Sequence, residues 1–157
     1  MLERGVGMNI VDRLKEEHSE LQKMLNDLLR GPIDDAERYG RSYIELISRV
    51  EAHERGEKST IYRELLSDIQ VRPIALQAME EHKIIRSMLR DLADVEITEE
   101  VWIPRLVVAN NMISLHFQIE EGNVLELVQR SFDEAKKEEL DKRFLEEEKK
   151  ALVSLRS

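Results

Sequence analysis

Glu80-Glu81-His82-Lys83-Ile84-Ile85-Arg86-Ser87-Met88-Leu89-Arg90-Asp91-Leu92 has a counterpart 64 residues earlier, in Glu16-Glu17-His18-Ser19-Glu20-Leu21-Gln22-Lys23-Met24-Leu25-Asn26-Asp27-Leu28. The Glu-Glu-His, Met-Leu and Asp-Leu pairs coincide in register. Downstream of each copy lies a second histidine, followed four residues later by a glutamate: His53 with Glu57, and His116 with Glu120, offset by 63 residues. Side chains four apart stack on one face of an α-helix. The same helix–helix unit therefore occurs twice. Four such helices joined by short loops make an up-down-up-down antiparallel four-helix bundle, with the polar groups of one hairpin facing those of the other about halfway along its axis.

The composition agrees with an all-α chain. It is 157 residues long and 36% charged, with six glycines, three prolines and few aromatics, a balance that favours helices with solvated outer faces over sheet. That length suits one domain able to bury its own core. A net charge of −9 argues against nucleic acid or an anionic membrane as partner, since both are recognised by clustered Lys and Arg. With no cysteine, a metal would have to be held by imidazole and carboxylate. Met1 to Met8 carries no apolar leader core and no run is long enough to span a bilayer, so a cytoplasmic location is expected, with Met8 an alternative start.

Taken in order, Asn9 caps a first helix that runs to about Arg30, where Gly31-Pro32 stops it. Its inward stripe is Val11, Leu14, His18, Leu21, Leu25 and Leu28. Asp34 or Asp35 caps a second helix to about Ile69, burying Tyr43, Leu46, Ile47, Val50, His53, Glu57, Ile61 and Leu65. Gly56 is an interior weak point that allows close packing or a local bulge. Pro73 suits the first turn of the third helix, whose inward set is Ala75, Ala78, Met79, His82, Ile85, Leu89 and Leu92. Thr98 is the expected cap of the fourth, which is regular from Pro104 or kinked there and carries Val108, Met112, Ile113, His116, Glu120, Val124 and Leu127 on one side. Residues 1–133 thus form the bundle. Residues 134–157 form a charged, amphipathic C-terminal helix that packs on the bundle or on a partner, a second copy of the chain included.

A lone histidine on an apolar helix face is ordinarily a core residue. Here all four histidines of the chain fall on inward faces, one per helix, together with two glutamates, and burying six such groups uncompensated is costly. Two cations remove that cost. If both glutamates bridge and each metal takes two imidazoles, each has four protein ligands, leaving room for a bridging oxo or hydroxo group and one exchangeable small ligand. Nitrogen and carboxylate donors without sulfur suit iron or manganese, and zinc could substitute. A ferritin-like carboxylate enzyme is set aside because Lys15, Val50, Met79 and Ile113 stand where Glu-x-x-His would need glutamate.

The combination of His18, His53 with Glu57, His82, and His116 with Glu120 resembles the hemerythrin-like, or HHE cation-binding, family over about residues 9 to 130. The resemblance implies a non-haem di-iron centre, with these six residues as metal ligands, that binds O2, NO or a peroxide species. Oxygen-carrying members add a fifth histidine one turn after the third-helix histidine, where this chain has Arg86. The site is then more open, and reversible O2 carriage is the less favoured use. The four-His, two-Glu set looks like that of iron-centre repair proteins, but their N-terminal cysteine segment has no counterpart here. The expected function is sensing, scavenging or storage of O2 or NO, against iron-sulfur repair, peroxide or NO turnover, or a purely structural bundle.

Among the neighbours, Arg86 either donates a hydrogen bond toward the centre or reaches solvent along its apolar stem, the second being preferred; Gln22 is its repeat partner. Glu121 is the rival of Glu120 as ligand, and loses because its repeat partner is Lys58. Tyr62 is assigned to core packing, Met24, Met88 and Met112 to gap-filling core, and the Glu16-Glu17 and Glu80-Glu81 pairs to solvated faces.

Overall fold

The computed structural model describes residues 8–157; the leader and alternative-start readings concern residues 1–7 and lie outside them. No β-strand occurs among the described residues. Helix α1 (Ile10–Arg30) is capped by Asn9, whose side chain accepts from the Asp12 amide, and α2 (Ala36–Glu57) by Asp35, which accepts from the Arg38 amide. From α2 the chain continues as one rod through a π-helical segment, Lys58–Tyr62, into the short α3 (Arg63–Leu66). This second rod ends three residues before Ile69. Helix α4 (Arg72–Ala93) carries Pro73 in its first turn. A second composite rod follows, made of α5 (Trp102–Ile119), a π-helical segment over Glu120–Leu125, and α6 (Glu126–Ser131).

Two expectations for α5 are corrected. Thr98 does not cap it: residues 96–102 close successive turns, and the regular helix begins at Trp102 with Pro104 in its first turn, where a missing N–H costs nothing. Val108 is 56% exposed, because the inward face of the helix is made by Leu106, Ala109, Ile113, His116 and Glu120, at alternating steps of three and four.

Within the ring, α1 lies beside α2 and α5, and α4 beside the same two helices. The Tyr39 hydroxyl near the start of α2 donates to the Leu28 carbonyl near the end of α1, and Tyr43 donates to Leu89 near the end of α4. Trp102, opening α5, packs edge-on against both tyrosines. Two helix starts and two helix ends thus meet at one end of the bundle, as alternating directions require. The apolar core is split into two layers. One is built around Leu25, Leu46, Leu89 and Leu106, the other around Leu14, Ile61, Ala78 and Val124. His18, His53, His82 and His116 fall between them.

Helix α7 (Glu134–Arg156), capped by Asp133, lies antiparallel along α2 and also touches α1 and the first π segment. Its Leu140, Phe144 and Ala151 are buried, and Asp141 takes a two-pronged hydrogen bond from buried Arg13 at 2.8 and 3.0 Å. The buried side chains of this amphipathic helix face the chain's own bundle. Gly56 is what lets α7 approach: a Cβ there would sit 2.5 Å from the Phe144 ring.

Candidate metal centre

The six predicted side chains converge. Ligating atoms of His18, His53, Glu57 and Glu120 lie within 4.8 Å of one another, and so do those of Glu57, His82, His116 and Glu120. Both carboxylates belong to both sets, so they stand between two neighbouring positions while each position draws two imidazoles. The geometry brings Nε2 of His18 to 2.9 Å from Glu120, Nε2 of His53 to 3.4 Å and of His82 to 3.3 Å from Glu57, and Nε2 of His116 to 3.4 Å from Glu120. All six residues are buried.

Three of the rings are held from behind. Nδ1 of His18 meets Glu121 at 2.7 Å, Nδ1 of His53 meets Glu17 at 2.9 Å, and Nδ1 of His116 meets Glu81 at 2.7 Å. A carboxylate acceptor places the ring proton on Nδ1 and turns the Nε2 lone pair inward, as metal-ligating histidines require. Those lone pairs then face carboxylate oxygens. Nε2 of His18 and His53, both oxygens of Glu57 and one of Glu120 are buried without a hydrogen-bond partner. Buried polar atoms are almost always satisfied, and five converging acceptors have one common remedy, positive charge between them. The donor set therefore fits a pair of cations.

The electrostatics point the same way. Burial works against a charged His53, yet Glu57 and Glu17 hold its pKa well above the ordinary imidazole value. His82, also opposed by burial, is raised to about 10 by Glu120 and Glu57, and His18 and His116 are raised too. Burial alone would raise Glu120, but its contacts with Glu57 and with His116, His18 and His82 hold it well below the usual carboxylate range. The cluster attracts positive charge.

Several neighbours differ from expectation. Glu17 is fully buried and Glu81 half-buried, each fixing a histidine on the next helix, so neither is a solvated face residue. The repeated Glu-Glu-His carried that signal. Glu121 is no rival of Glu120 but orients His18, which also stacks on Phe117 with ring centres 4.0 Å apart. Tyr62 does more than pack: its hydroxyl donates to Glu120. Arg86 neither donates to the ligands nor runs free to solvent; half-buried, it pairs with buried Glu54 at 3.4 Å. Burial lifts Glu54 to about 7 against the pull of His82 and Arg86. Gln22 bonds to Asn110 and Ser114 instead, on α5. From α7, Glu148 comes close to Glu17 and His53, its pKa raised to about 9 by burial and by the adjoining Glu17. Nothing in the sequence singled it out.

A comparison with family models matches the hemerythrin HHE cation-binding domain over residues 9–128. The chain belongs to this family. Among solved structures it is similar to the crystal structure of a hemerythrin HHE cation-binding domain-containing protein from Mycobacterium kansasii, with a TM-score of 0.81 and 20% identity over 94% of this chain and 89% of that one. At that identity the likeness speaks for the fold. No curated protein matches. The match to the HHE domain model stops three residues before α6 ends, and α7, which follows, supplies part of the wall behind His53.

Proposed function

We propose that this hemerythrin-like chain holds two metal ions, iron being the best fit to a donor set of imidazole and carboxylate without sulfur, and takes up O2 or NO there. The carrying observation is the set of buried, unpartnered Nε2 and carboxylate atoms converging between the two core layers. His18 and His53 would hold one ion, His82 and His116 the other, with Glu57 and Glu120 between them. Ferrous ions would supply electrons and open coordination positions. The protein's own contribution is to fix the three rings through Glu17, Glu81 and Glu121 and to exclude bulk water with apolar layers on both sides.

Peroxide turnover is the second reading, favoured by Tyr62, whose hydroxyl holds a proton one hydrogen bond from Glu120. The test for both begins with anaerobic reconstitution in ferrous iron, where about two irons per chain are expected from the ligand set and less than about one would sink the di-metal reading. Reduced protein is then mixed with O2, NO or peroxide. An absorption change that reverses on degassing supports uptake, whereas catalytic loss of peroxide with O2 release supports turnover.

A further inference from the structure

A cleft of about 250 Å³ opens between α2 and α4, and its floor is His82. On a chain of net charge −9 its lining is unusual: Arg55, Lys58, Lys83, Arg86 and Arg90 surround it. The two carboxylates in the wall, Glu51 and Glu54, are buried and answered by Arg90 and Arg86. A second opening, between α4 and the second π segment, measures about 40 Å³, scarcely room for more than a water. It is lined by Glu81 and Glu120 with neutral neighbours, so it repels negative charge. The flank along α2 and α1 is covered by α7.

We propose that the cleft between α2 and α4 is an anion-selective way in to the centre, capturing small inorganic anions of the size of nitrite or azide and delivering them beside His82. This rests on the metal reading above. Arg guanidinium groups suit such ligands because they present several donors at fixed angles and stay charged. The volume excludes a drug-sized substrate, whose pockets start near about 300 Å³. Arg86, held to Glu54 by one long bond at 3.4 Å and 34% exposed, is placed to exchange that partner for an incoming anion. A cationic cleft with low-dielectric walls raises anion on-rates by about 10-fold to 1,000-fold, an advantage that salt removes.

The test uses Arg55→Glu/Lys83→Glu, two exposed rim positions, in the full chain. Azide association with the iron-loaded protein is followed by stopped flow at low and high ionic strength, with neutral NO in parallel. Chloride NMR line width on metal-free protein reports anion capture without metal. Azide association should slow about tenfold or more in the variant at low salt, converge with wild type at high salt, and leave NO association unchanged; chloride broadening should weaken. An unchanged azide rate, a salt-independent wild-type rate, or an equal loss for NO overturns the proposal while iron content stays at wild-type level. Absence of iron from wild type overturns the metal reading, and delivery to the centre with it, whereas chloride broadening abolished by the variant would still support anion capture by the cleft.

Discussion

His53 on the first hairpin and His116 on the second occupy equivalent places, and each gives its Nδ1 to the glutamate that precedes the other histidine of its own hairpin, Glu17 at 2.9 Å and Glu81 at 2.7 Å. Beyond that pair the halves diverge. Glu17 is 3% exposed beneath α7, where Glu148 and Phe144 close over His53, while Glu81 is 14% exposed at the rim of the small opening beside α4. Glu121 orients His18, but its repeat partner is Lys58, and among the described residues no carboxylate is hydrogen-bonded to Nδ1 of His82. Tyr62 holds Glu120, and its counterpart Leu125 has no hydroxyl to hold Glu57. The duplicated hairpins therefore supply symmetric ligands inside an asymmetric shell. One half is sealed and rigidly oriented; the other meets the solvent.

The strongest way to break this contrast is at Gly56. Gly56→Ala drives a methyl into the Phe144 ring, so the seal must shift; a loss of about 3 kcal/mol is expected in denaturant melts. Adding Phe144→Leu should recover part of it, and no recovery would mean that Gly56 matters for another reason. Next come the glutamates behind the rings. Glu17→Ala should weaken iron binding about 100-fold and Glu81→Ala about tenfold by competition with a chelator, because water can replace an acceptor at the open half but not under α7. Equal losses would remove the distinction between a sealed and an open half. The smallest effect belongs to Gly122, in the second π segment, where a Cβ meets nothing within 4 Å. Gly122→Ala should stabilise the protein by about 0.5 to 1 kcal/mol through lost unfolded-state freedom, a rise in melting temperature opposite in sign to that of Gly56→Ala.

The first π-helical segment begins at Lys58, directly after Glu57, and the second at Glu120 itself. Each inserts part of a turn, and in the first of them Tyr62, packed in the apolar layer around Leu14 and Ile61, also reaches Glu120 with its hydroxyl. A regular 3.6 period cannot anticipate that change of phase. Val108 fails for a different reason: counting back from His116 through Ile113 in steps of three and four reaches Ala109, not Val108.

From the sequence alone came the helical rods, their alternation and the six convergent side chains, because these follow from the period of apolar residues along each helix and from the repeat between them. Tertiary structure alone decided which glutamates stand behind which histidines, that Tyr62 reaches Glu120, that Arg86 answers Glu54, and that α7 seals one half. Those contacts depend on the rotation and register of one helix against another, and a periodic pattern reports only which way each helix faces its own core.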